Sequence, residues 1–248
     1  MRIMKPCLFI RQLSLATITV IASMNPSMAQ ISTEATALAT KVAQALAPAS
    51  SLKVKAKHRI DPAIAPSKGL SEGPLQITVQ RPNRCHVYQA AGDQTRELAF
   101  DGKTFVFINP VLKIHAVEPL RAATLDELGD RLDQRFGFRP PVLELLSADL
   151  PKQLFANATS ASVTGREWIG WTRCERLHIE QEGLTGDLWV GTKDHLPRRL
   201  LLTFTGTAAR PQWDIRVSDW ELGAPVDERL FTKRPAADSQ PTKLLKSR

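Results

Sequence analysis

Between Leu52 and Ile60 the chain alternates without a break: Leu52, Val54, Ala56, His58 and Ile60 interleave with Lys53, Lys55, Lys57 and Arg59. Neighbouring side chains on an extended backbone point to opposite faces, so this pattern makes a strand with one apolar and one wet face and excludes a helix. A one-faced strand needs partners. Leu75, Ile77 and Val79 repeat the alternation after a Pro/Gly/Ser-rich loop from Pro62 to Pro74, and Pro82-Asn83 opens a further strand through Val87. Leu98 and Phe100 run into Asp101-Gly102, a strong hairpin signal, with Thr104 to Ile108 as the return strand and Lys113 to Val117 as another. Short strands joined by tight turns describe an antiparallel meander.

Helical spacing appears in two places. Ser32 or Thr33 can cap a helix in which Leu38, Val42 and Leu46 recur every four residues before Pro48. Its stripe is narrow and Ala-rich, which predicts a surface position. In the middle of the chain, Thr124-Leu125-Asp126-Glu127 is a capping box, Leu125, Leu128, Leu132 and Phe136 mark one face, and Gly137 ends the helix. Pro140-Pro141 opens a second stretch with Leu143, Leu145 and Leu146, and Ser147 to Phe155 adds a third.

Strands then resume: Ala161 to Thr164, Glu167 to Trp171, Arg173 to Gln181, Gly186 to Gly191, Arg198 to Thr205 and Gln212 to Trp220, the first two separated by Gly165-Arg166. The helices interrupt one antiparallel run and do not alternate with strands, which disfavours a parallel α/β sheet. The expected class is α+β: a large curved antiparallel sheet with helices covering its concave face.

The first 29 residues combine Arg2, Lys5 and Arg11 with an apolar run from Leu13 to Met24 and small residues at Ser27 to Ala29. That is the pattern of a secretory signal peptide cleaved after Ala29. A dozen apolar residues are too few to cross ~30 Å of hydrocarbon. No Cys follows the run where a lipoprotein would need one. The segment has no acidic residue, so its removal lowers the formal charge from +8 to +5 for residues 30–248. The expected organisation is one domain over 30–235 and a polar, frayed tail over 236–248. An exported protein is a poor nucleic-acid partner, and the basic cluster Lys233, Arg234, Lys243, Lys246 and Arg248 suits either a solvated tail or weak contact with anionic headgroups.

Cys85 and Cys174 remain after processing. They either form one disulfide, closing a loop of about 90 residues worth roughly 4 kcal/mol, or sit as small buried hydrophobes.

Catalytic and metal chemistry finds no footing. The five His residues (58, 86, 115, 178, 195) are dispersed, with no ligand spacing, and His58 fits a hydrogen-bonded His on the inner face of its strand. The other four suit strand surfaces or turns. Cys174 and His178 would share a strand face roughly 13 Å apart, too far for proton transfer. No Gly-x-Ser-x-Gly or phosphate-cradling loop is present. The carboxylates Asp126, Glu127, Asp130 and Asp133 belong on the wet side of a capped helix. No enzyme activity and no cofactor are expected.

What remains is apolar surface. Phe105, Phe107, Leu125, Leu128, Leu132, Phe136, Leu146, Trp168 and Trp189 are candidates to line a hydrophobic cavity between sheet and helices. On residue type alone, the same residues are better read as simply forming the core. Parity leaves open whether Phe105 and Phe107 or Val106 and Ile108 face inward, since both sets are apolar.

Four blocks in order, Gln80-Arg81-Pro82-Asn83-Arg84, Phe100-Asp101-Gly102-Lys103-Thr104, Cys174 to Gln181 and Leu196-Pro197-Arg198-Arg199-Leu200, resemble a family of predicted periplasmic proteins known as domain of unknown function 2092. The resemblance covers about residues 33–235, with Cys85 departing where an aliphatic residue is expected. That family is in turn similar to the LolA/LolB lipoprotein carriers: unclosed antiparallel barrels with a helical lid over an acyl-chain cavity. The resemblance implies a soluble, monomeric periplasmic carrier for a lipid or other hydrophobic molecule, gated by residues 124–155. The alternative is a filled module that docks another envelope protein.

Overall fold

The computed structural model describes residues 29–64, 72–93, 95–137, 141–147 and 149–244; the expected signal segment lies outside them except for Ala29. The first elements are β1 (Gln30–Ile31), α1 (Thr33–Leu46), β2 (Ser51–Ile60), β3 (Glu72–Gln80), β4 (Arg84–Gln89), β5 (Arg96–Phe100), β6 (Thr104–Asn109) and β7 (Ile114–Pro119). Three helices follow, α2 (Leu125–Phe136), α3 (Pro141–Glu144) and α4 (Leu150–Phe155). The chain closes with β8 (Ala158–Ile169), β9 (Thr172–Gln181), β10 (Leu184–Gly191), β11 (Pro197–Phe204), β12 (Gln212–Leu222) and β13 (Gln240–Pro241).

The thirteen strands of the described residues form one sheet in the order β1-β8-β9-β10-β11-β12-β2-β3-β4-β5-β6-β7-β13. It consists of two meanders, β2 to β7 and β8 to β12, joined where β12 pairs antiparallel with β2 from Trp213↔Ile60 to Leu222↔Leu52. The helices occupy the long connection from β7 back to β8 at the other side of the sheet. Among the described residues β7 and β8 do not pair, so the barrel stays unclosed.

The alternation in β2 is realised in full: Leu52, Val54, Ala56, His58 and Ile60 are buried, and Lys55, Lys57 and Arg59 are exposed. Register carries that parity along the sheet. Val54 sits opposite Ile77, Ile77 opposite Val87, Val87 opposite Leu98 and Leu98 opposite Phe107. These residues share the concave side with Leu177, Leu188, Val190 and Ile215, in one apolar core with the stripes of α1 to α4.

Four expectations need correction. The sheet is mixed, because the two-residue strands β1 and β13 pair parallel with β8 and β7 and cover its edges. Gly165-Arg166 is no turn: β8 runs straight through it, with a register shift between Val163 and Gly165 that the glycine absorbs at φ 153°. The turn falls at Gly170-Trp171, where Gly170 has φ 58°.

Helix α1 is a core element. Ala35, Leu38, Ala39, Val42 and Leu46 are at most 3 % exposed, because small alanines let it approach closely. Finally, residues 236–244 are held and not frayed. The Gln240 and Thr242 amides donate to Lys113 and His115, and Lys113 pairs with Asp238 at 2.6 Å.

Candidate functional site

The concave side of the sheet is covered by α2 with α3 and α4. Helix α2 begins as its capping box predicts: the Thr124 hydroxyl accepts from the Glu127 amide at 3.1 Å, while Glu127 Oε2 accepts from the Ala123 amide at 2.7 Å. Gly137 ends it in the left-handed conformation at φ 71°. Leu125, Leu128, Leu132 and Phe136 face the sheet, and Phe136 stacks on Phe105 at 5.9 Å and 29°.

The start of α2 is bolted to the frame. The Leu120 and Ala122 amides donate to Lys103 and Gly102, the Leu125 amide donates to Pro82, and Asn83 Nδ2 donates to Ala122 at 2.7 Å. Gly102 sits at φ 99°, and a Cβ there would lie 2.7 Å from Asn83 Nδ2. Arg81 reaches the Leu146 carbonyl at 3.1 Å beyond α3, and burial holds its guanidinium below its ordinary pKa. Two of the four sequence blocks, Gln80 to Arg84 and Phe100 to Thr104, thus meet at the anchored start of the helical cover. At the far end of α2, Arg135 pairs with Glu118 and donates to the Pro119 carbonyl at the surface.

The sequence-derived cavity residues divide. Phe105, Leu125, Leu128, Leu132, Phe136 and Leu146 converge and are at most 5 % exposed, and Phe107 packs half-buried beside them. Among the described residues, side chains so fully covered pack against one another. Val106 and Ile108 face the other way and cluster with Ala99, which settles the parity.

Trp168 and Trp189 do not belong. Trp168 is 67 % exposed on β8. Trp189 is buried on the convex side, opposite Arg176 and Arg199 in register, with their guanidinium carbons 5.3 and 4.6 Å from its ring centre. An alternating strand must send Trp189 away from Leu188 and Val190, and the larger residue alone did not reveal which side was the core.

Cys85 and Cys174 are both buried and free, so the disulfide alternative falls; β4 and β9 are far apart in the sheet order. Burial pushes the Cys85 thiol up to about 12. His58 is buried and accepts from Gln89 Nε2 at 3.1 Å, while Gln89 Oε1 takes Arg96 Nε at 2.6 Å, a polar chain at one margin of the concave face. Burial lowers the His58 pKa, favouring a neutral ring.

Sequence reasoning missed two polar clusters. On the convex side, Asp187 accepts from Arg176 at 2.8 Å and lies 2.7 Å from His178 Nδ1, and Asp214 holds Arg199 and Arg216. The other two sequence blocks meet here. Under the C-terminal segment, His86 Nε2 lies 2.6 Å from Glu97, which also takes Lys233 at 2.8 Å. His86 is therefore buried and not on a strand surface; only its register across from Ala99 in β5 could have signalled it. A recess of about 330 Å³ beside α2 is lined by Arg121, Arg131, Gln134 and Arg135 together with Pro119 and the core residue Leu120.

A single curved, unclosed sheet whose apolar concave face is covered by amphipathic helices defines an open half-barrel. The family model described as "Predicted periplasmic protein (DUF2092)" matches residues 35–245, and the chain belongs to that family. A search of curated proteins finds no match.

Among solved structures, an uncharacterized conserved protein from Thermus thermophilus is similar at 11 % identity and TM-score 0.52, covering 84 % of this chain and 98 % of that one. Mycobacterium tuberculosis lipoprotein LppX is similar at 13 % identity and TM-score 0.49, covering 78 % of this chain and 97 % of that one. The Pseudomonas aeruginosa MucA/MucB complex gives 14 % identity and TM-score 0.45, over 84 % of this chain and 62 % of that one. At these identities the likeness concerns the fold.

Proposed function

We propose that this protein is a non-enzymatic periplasmic carrier that holds an acyl chain or similar hydrophobic molecule between the concave sheet and α2 to α4. The observation that carries the reading is the cover itself. Helix α2 is anchored by backbone bonds at its start and from there lies on the sheet through the apolar stripe Leu125, Leu128, Leu132 and Phe136, with the exposed Arg135–Glu118 pair at its far end. It can therefore lift about residues 120–125 by parting side-chain contacts without breaking the frame.

In the closed state the helix occupies the ligand's place. Its four inward side chains contribute ~6–12 kcal/mol of burial at ~1.5–3 kcal/mol each, and an acyl chain of about 16 carbons offers ~13 kcal/mol on the same scale. Exchange of one for the other favours the acyl chain by ~1–7 kcal/mol on this scale, so the helix side chains offset about half or more of what the ligand gains. The family's description as predicted periplasmic supports the location.

The test is native mass spectrometry of protein from the periplasm, with fluorescent fatty acid titration of the delipidated chain. Bound lipid and saturable, displaceable fluorescence are expected; a bare chain with no binding would sink the reading.

A second reading is favoured by the near-complete burial of the inner residues: a filled module that docks an envelope protein. It expects no acyl binding, and no change in partner binding when α2 is locked down.

A further inference from the structure

The β8–β9 hairpin carries an exposure that neither the core nor the cover explains. Trp168 is 67 % exposed, and Trp171, at the turn, is 99 % exposed. Burying an indole is one of the larger gains a fold can make, so two left in water on one hairpin tip mark a surface with a use beyond packing.

The charge around the tip is one-sided. Its acidic neighbours are already engaged: Glu175 with Arg166, Glu167 with Arg176, and Asp194 with Arg198. Arg173, opposite Trp168 in register, and Lys193, in the adjoining β10–β11 turn, are exposed and have no ion-pair partner among the described residues. The two turns are neighbours, since the Thr192 amide donates to the Arg173 carbonyl.

We propose that this tip docks on a phospholipid bilayer surface bearing anionic headgroups. Indoles with a polar N–H settle at the headgroup level, and the free cations beside them match anionic phosphates. A protein partner would have to cover two projecting indoles with a preformed pocket, whereas a bilayer accepts them in any orientation. Antiparallel pairing puts this tip at the same end of the strands as the β3–β4 and β5–β6 turns that hold the start of α2. The docking stands whether or not the concave face carries a ligand.

The experiment is flotation of the mature chain with vesicles of phosphatidylethanolamine and phosphatidylglycerol, read together with tryptophan emission. Wild type co-floats and its emission shifts to the blue. Because both indoles are exposed, W168S/W171S keeps its circular dichroism and urea midpoint but loses about tenfold or more in apparent vesicle affinity. R173Q/K193Q weakens binding about tenfold at low salt and flattens its salt dependence. V111S/L112S, exposed at the opposite end of the strands, floats like wild type. Failure of wild type to bind, or equal flotation of W168S/W171S, overturns the proposal. So does a dimer that W168S/W171S dissolves in the absence of vesicle binding, which would make the tip an interface between copies.

Discussion

Replacing Glu97 by Gln is the sharpest probe of the convex side. The His86 ring, first, and the Lys233 ammonium, second among its favourable partners, hold this carboxyl at about 2, against an ordinary 4.5, in spite of the burial that opposes them. The side chain is only 17 % exposed, so solvent screens the pairs weakly. Lowering a carboxyl from 4.5 to about 2 corresponds to ~3 kcal/mol of stability at neutral pH. A depressed carboxyl stabilises the fold above its unfolded value and stops doing so as protonation sets in.

The contribution is therefore complete above about pH 5 and disappears as the pH falls through 4.5 toward 2. Urea titrations at several pH values between 7 and 2 should show Glu97→Gln less stable than wild type by ~2–3 kcal/mol at pH 7 and converging with it in acid. His86→Ala should cost more than Lys233→Ala, following the order of the two contacts. Parallel acid limbs for wild type and Glu97→Gln would refute the reasoning, because the charge would then not be what the pocket recognises.

Phe136→Ala should cost ~3–5 kcal/mol by calorimetry or urea, since it empties the stack on Phe105. On the carrier reading it also raises the on-rate for a fluorescent fatty acid; an unchanged on-rate with full destabilisation favours the filled module. Gly102→Ala, strained by its φ of 99° and by the Asn83 contact, should loosen the anchored start of α2, giving faster amide exchange at Leu120, Ala122 and Leu125 than elsewhere. Reductant should leave the melting temperature unchanged, and Cys85 and Cys174 should resist alkylation until the chain unfolds, as expected for buried free thiols.

The strands and helices were legible because each carries its own period. β2 alternates, α2 is capped and striped, and Asp101-Gly102 turns between β5 and β6, all consequences of local backbone geometry. The same rules failed at Gly165, because a bulge and a turn both call for glycine and only pairing with β9 tells them apart. They failed also for α1, whose stripe looked too slight for a core until the fold brought α4 and β8 close enough for alanine to pack.

For the inner face, the sequence by itself determined the order helix, strands, helices, strands, and with it the stripe from Leu125 to Phe136. Only the tertiary structure decided which face each aromatic occupies. Trp189 is sent to the convex side, Phe105 to the seam and Trp171 to open water by cross-strand register and the position of a turn, which depend on contacts between residues distant in the chain. Periodicity assigns a residue to one of two faces; which of those faces is the inside is fixed by the sheet as a whole.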